Sequence, residues 1–100
     1  MKPGFVLCID GAEWRVEFRP QSRMPKNKTT GKPDWGNCNW EKRRILINES
    51  LTDEQQGFTL IHEITHAHNP HYKEEAVLEF ENIASDAFVK AGFKITRASE

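Results

Sequence analysis

The segment His62-Glu63-Ile64-Thr65-His66 sets two imidazoles four residues apart with a carboxylate beside the first. On an α-helix, positions i and i+4 project from one face, so both rings reach a single ion while the intervening Glu stands next to it without having to bind it. The chemistry open to such a group is hydrolysis by a metal-activated water, with Glu63 as the proton acceptor. With four His and eleven Glu in 100 residues, chance supplies the pattern about 0.02 times. The competing reading, ordinary hydrogen-bonded histidines and a Glu facing solvent, requires several unrelated signals to coincide. Two His within an apolar stretch are costly unless their nitrogens have partners.

A catalytic zinc normally takes three protein ligands and leaves one position open for water. Metzincin spacing asks for a His at position 72, where this chain has Tyr72, with His71 one place early. That class is disfavoured, and the carboxylates Glu74, Glu75, Glu79 and Glu81 of the following helix are the remaining donors. Helical phase favours Glu74, on the border of the apolar stripe one turn before Val77 and Leu78, and turns Glu75 nearly away. Glu79, also at a stripe border and deeper along an antiparallel helix pair, is its main rival.

The elements that must position these groups are legible as well. Thr52 and Gln55 have capping-box form, with Asp53 and Glu54 in the first turn, so a helix is expected to begin there. Phe58, Leu60, Ile61, Ile64 and Ala67 cover most of its circumference, which predicts a buried helix, and Asn69-Pro70 should end it. A second helix is expected from about Glu74, with Val77, Phe80, Ala84, Ala87, Phe88 and Ala91 on one stripe and Gly92 as its cap. Upstream, the apolar run Phe5 to Ile9, the turn signal Asp10-Gly11 and the alternating Trp14, Val16 and Phe18 read as a β-hairpin. Arg44 to Asn48 is expected to add a third strand and to offer an edge. Residues 20–36, punctuated by Pro and Gly, read as an exposed loop. The fold class is therefore α+β. One domain spans residues 1–100: a small antiparallel sheet of about three strands, then a buried active-site helix and a second C-terminal helix.

Composition narrows the function further. The net charge of −1 disfavours a globally basic nucleic-acid binder. Residues 1–50 carry +4 and residues 51–100 carry −5, which reads as solvated loops before acidic helices. The longest apolar run, Phe5 to Ile9, has five residues, far short of the roughly 20 a membrane span needs. Cys8 and Cys38 form neither a disulfide framework nor a zinc knuckle, and a reducing cytoplasm is the expected compartment. Cys38 reads as a packed thiol, with a switch or an extra ligand as the alternative.

Taken together, these residues resemble a zincin metallopeptidase of minimal size, of the gluzincin type. The resemblance runs from Trp35-Gly36-Asn37-Cys38 through Ile45-Leu46-Ile47, Thr59 to Ala67 and Glu74-Glu75-Ala76-Val77 to Gly92-Phe93, about three-fifths of the chain. The sequence is similar to small zincin-like proteins of phages and bacteria, and more distantly to the SprT-like and ImmA/IrrE-like metallopeptidases. In the small group the Glu-Glu-x-Val segment supplies the third ligand, which implies Glu74 here, although the interval from His66 is short and no further substrate-binding domain is recognisable.

The expected function is a zinc metallopeptidase: Zn²⁺ held by His62, His66 and Glu74, Glu63 as general base, and a protein or peptide substrate paired along the Arg44 to Asn48 strand. His68, His71 and Tyr72 lie near enough in sequence to donate to an oxyanion, though each reads more simply as a loop or supporting residue. Two alternatives compete. One is a zinc-stabilised binding or regulatory domain without turnover. The other is a DNA-associated, SprT-like protease or nucleic-acid module using Arg15, Arg19, Arg23, Lys26, Lys28 and Lys32, with Trp14 and Trp35 as stacking surfaces.

Overall fold

The computed structural model describes residues 3–97. In chain order these form β1 (Phe5–Ile9), β2 (Ala12–Arg19), a short 3-10 turn (Gln21–Arg23), β3 (Gly36–Asn39), β4 (Arg44–Asn48), α1 (Asp53–His68) and α2 (Glu74–Ala91). The hairpin of β1 and β2 closes through Asp10 and Gly11, whose φ angles of 51° and 78° provide the left-handed positions of a two-residue turn.

The sheet has four strands rather than three, in the order β1-β2-β4-β3, and it is mixed rather than antiparallel. β2 and β4 run parallel, with Val16 opposite Ile45 and Phe18 opposite Ile47. β4 is therefore an interior strand, not the edge that its position in the chain suggested. Its composition explains why: Ile45, Leu46 and Ile47 are all at most 1% exposed, and an apolar run covered on both faces is the mark of a central strand. The edge beyond it is β3, Gly36-Asn37-Cys38-Asn39, which has little strand propensity of its own. Its pairing is imposed by the tight connection to β4, where Asn39 Oδ1 accepts from Lys42 N at 2.9 Å and Arg43 turns the chain at φ 49°.

The loop before β3 is exposed over residues 26–32 but is ordered by its own bonds. Asn27 Oδ1 accepts from Thr29 N and Thr30 N, Lys26 bridges Pro33, and Met24 is buried.

α1 lies on one face of the sheet, where Ile9, Trp14, Val16, Phe18, Ile45, Ile47 and Ala67 form the core, with Leu60 and Ile64 packed against them. Trp14 belongs to this core at 5% exposure and is no stacking surface. The capping box at the start of α1 is complete: Thr52 Oγ1 accepts from Gln55 N at 3.2 Å, and Gln55 Oε1 accepts from Thr52 N at 3.1 Å. The last described residues cross this same end of the helix. Arg97 stacks over Phe18 at 4.1 Å, its guanidinium donates to Gln56 Oε1, and its backbone N–H donates to Asp53 Oδ2.

α2 has the expected bounds, with Gly92 capping it at φ 82°, but not the expected buried stripe. Val77 alone is fully buried, whereas Phe80, Ala87 and Ala91 face outward. Phe88 meets Phe58 edge-on at 5.8 Å. The helix is apolar over a wide arc, and α1 covers only one margin of it, the side bearing Glu74, Val77, Glu81 and Ala84. Among the described residues no helix is long and apolar enough to cross a membrane.

Removing the capping hydroxyl with Thr52→Ala should cost about 1 kcal/mol. In a domain of this size that lowers the thermal midpoint by roughly 4–8 °C, measurable by circular dichroism. An unchanged midpoint would show that the cap contributes nothing.

Candidate metal centre

α1 presents His62 and His66 on one face, one turn apart, with their Nε2 atoms 3.2 Å from each other. The chain then reverses over residues 69–73, where Tyr72 N donates to Asn69 O, and α2 begins with Glu74 at its first position. The reversal carries the Glu74 carboxylate back over the two rings: Oε1 lies 2.9 Å from His62 Nε2 and Oε2 lies 2.7 Å from His66 Nε2. The short interval after His66 is thus sufficient, because the donor stands at the near end of an antiparallel helix.

Three electron-pair donors converge on one point from two sides. Ligands on a tetrahedral ion at about 2.0–2.1 Å stand roughly 3.3 Å apart, so the observed separations lie close to what such an ion requires. The donor set of two imidazoles and a carboxylate also suits a divalent metal of the zinc type. His62, Glu63 and His66 form a group whose ligand atoms all lie within 4.8 Å and that could hold a metal ion. Glu75 and Glu79 stand elsewhere. Both line a separate hollow with Asn82, Ile83 and Asp86, and both are exposed, so the rival to Glu74 does not reach the rings.

Glu63 stands beside the histidine pair and against β3. It is 7% exposed, and its carboxyl is held up to about 8, first by burial and then by the negative charges of Glu74, Asp34 and Glu81. β3 approaches closely enough that a Cβ on Gly36 would stand 2.6 Å from Thr59 Cγ2 and 2.7 Å from Glu63 Oε2. Only glycine fits there. The neighbouring Cys38 thiol is pushed up to about 12 by burial and by Glu63, so it stays protonated at neutral pH and packs against the core, which favours the packed thiol over a switch or ligand.

These groups open into a cleft of about 460 Å³ lined by β3 and its flanking residues on one side and by both helices on the other. Trp40 meets the His66 ring edge-on at 6.4 Å. Glu81, two helical turns after Glu74 and on the same face, places Oε1 3.6 Å from His62 Nδ1. Helical spacing from Glu74 could have singled it out among the four carboxylates. Trp40 and Asn37 carried no comparable signal, because only the fold brings β3 to the helix. His68, His71 and Tyr72 are outside the cleft: His68 Nδ1 pairs with Asp10 at 2.9 Å, His71 is exposed, and Tyr72 lines a hollow with Ile64 and Phe80.

The peptidase M78 family model, described as the IrrE N-terminal-like domain, matches residues 15–91, from β2 to the last residue of α2. No curated protein and no solved structure matches the chain.

Two variants test this geometry. Gly36→Ala should cost about 1–3 kcal/mol of stability by forcing β3 off α1; a stability equal to that of the native chain would refute the close approach. Glu63 binds its proton more tightly in the folded chain than at its ordinary value of 4.5, so its contribution to stability is complete below pH 4.5 and is lost as pH rises towards about 8. Metal-free Glu63→Gln should therefore melt several degrees above the metal-free native protein at about pH 8 and together with it at about pH 4. A constant difference across that range would contradict the buried, repelled carboxyl.

Proposed function

The chain belongs to the IrrE N-terminal-like domain family, and on that footing we propose that it is a zinc-dependent metallopeptidase hydrolysing peptide bonds in the cleft between β3 and the two helices. In this reading His62, His66 and Glu74 hold the ion and Glu63 is the general base. The observation that carries it is the convergence of two imidazole nitrogens and one carboxylate within 3.2 Å, next to the buried carboxyl of Glu63.

Zinc bound there would lower the pKa of a water towards about 7 and polarise a carbonyl oxygen. The rest falls to the chain itself. Glu63, with its proton affinity raised towards neutrality by burial, is matched to taking a proton from the nucleophile and passing it to the leaving amine. β3 bounds that carboxylate on one side, where a Cβ at position 36 would stand 2.7 Å from Glu63 Oε2. Among the described residues β3 pairs only with β4, which leaves its other edge along the cleft, and an extended peptide would add to that edge. β4, enclosed between β2 and β3, no longer qualifies as the docking strand. Asn37 and Trp40 line the same wall, and each carries a side-chain N–H of the kind that stabilises a developing oxyanion.

A domain that used the ion only for stability would have no use for a buried acid beside it, which costs folding energy near neutral pH. The two readings separate on Glu63→Gln, scored against a library of internally quenched peptides. Turnover should fall by roughly 100-fold or more while the fold persists. Undiminished cleavage by the variant would remove Glu63 from the mechanism, and a native protein that cleaves nothing would favour the regulatory reading.

A further inference from the structure

The cleft does not end at the histidines. It shares Trp35, Thr59 and Glu81 with a second hollow of about 300 Å³ that continues between the first turns of α1 and the middle of α2, past Glu54 and Phe58. The two hollows make one groove, and its charge is of one sign. Among the described residues no lysine or arginine lines either part, whereas Asp34, Glu54 and Glu81 do, in addition to Glu63 and Glu74.

A divalent ion at the histidines balances the charge of about two carboxylates. That leaves Asp34, Glu54 and Glu81 along the flank of the groove. Among the described residues neither Asp34 nor Glu54 takes part in an ion pair, and Glu81 has only His62 Nδ1 at 3.6 Å. Among the described residues, Glu63, more than nine-tenths buried and lining the cleft, has no hydrogen-bond partner. Trp35, common to both hollows and 54% exposed, presents an indole that can cover the aliphatic stem of a long side chain or attract its cationic head.

Resting on the metallopeptidase reading of the same cleft, we propose that the groove selects peptides carrying a lysine or arginine side chain on the Trp35 side of the scissile bond. Trp35 covers the stem of that side chain, and Glu81 and Glu54, with Asp34 nearby, meet its charge. An acidic side chain at the same place meets like charges in a partly enclosed groove and is rejected.

The test is a binding titration, independent of turnover. Glu63→Gln protein with added zinc is titrated with octapeptides that differ at one position, Lys, norleucine or Glu, and binding is followed by tryptophan fluorescence and calorimetry. The lysine peptide should bind roughly tenfold more tightly than the norleucine peptide and more tightly still than the glutamate peptide. This preference should shrink in high salt and fall severalfold in a second variant that adds Glu54→Lys. Equal affinities for the three peptides, or binding of none of them, would overturn the proposal. The native protein incubated with the same peptides tests the underlying reading separately. Cleavage without a lysine preference in binding sinks the groove proposal and keeps the peptidase; a lysine preference without cleavage keeps the groove and sinks the peptidase.

Discussion

Two imidazole nitrogens and a carboxylate held within 3.2 Å of one another are the constraint around which this domain is arranged. Each is an electron-pair donor that water would otherwise solvate, and side chains gathered in this way need a cation or shared protons between them. The capping box at Thr52 fixes where α1 begins; residues 62 and 66, four apart, share one face of it, while Leu60, Ile64 and Ala67 meet the sheet. The stop after His68 then decides how soon α2 can return. Because the reversal is tight, the first residue of α2 is the one that arrives over the rings.

The second constraint is the distance from β3 to α1. With glycine at position 36, the strand lies against Thr59 and Glu63 and shuts the carboxyl away from water. That enclosure raises the proton affinity of Glu63, keeps the Cys38 thiol protonated and gives the cleft one rigid wall. A strand of such low propensity persists because β4, the most buried strand of the sheet, provides its partner.

Local features of the sequence carried over well into the fold. The paired histidines, the capping box, the Asp10-Gly11 hairpin and the glycine cap of α2 all act within a few residues, and each is found where its spacing placed it. What could not be read depends on partners distant in the chain. β3 has no pattern of its own, the parallel pairing of β2 with β4 is a matter of topology, and β4 looked like an edge only because the strand that covers it was invisible. α2 carries apolar residues around so much of its circumference that the sequence could not say which margin α1 would cover; Phe80 and Ala87 lost that contest to Val77 and Ala84. His68 sits two residues past the histidine pair, and helical rotation takes it to the opposite side, where Asp10 holds it.

Whether His62, His66 and Glu74 together grip one ion is read most directly from the metal content of protein purified without added metal. About one zinc per chain is expected in the native protein and almost none in His66→Ala or in Glu74→Ala, with Glu79→Ala unchanged. Metal-free native protein that takes up no zinc on titration, or undiminished zinc in the His66 and Glu74 variants, would contradict it.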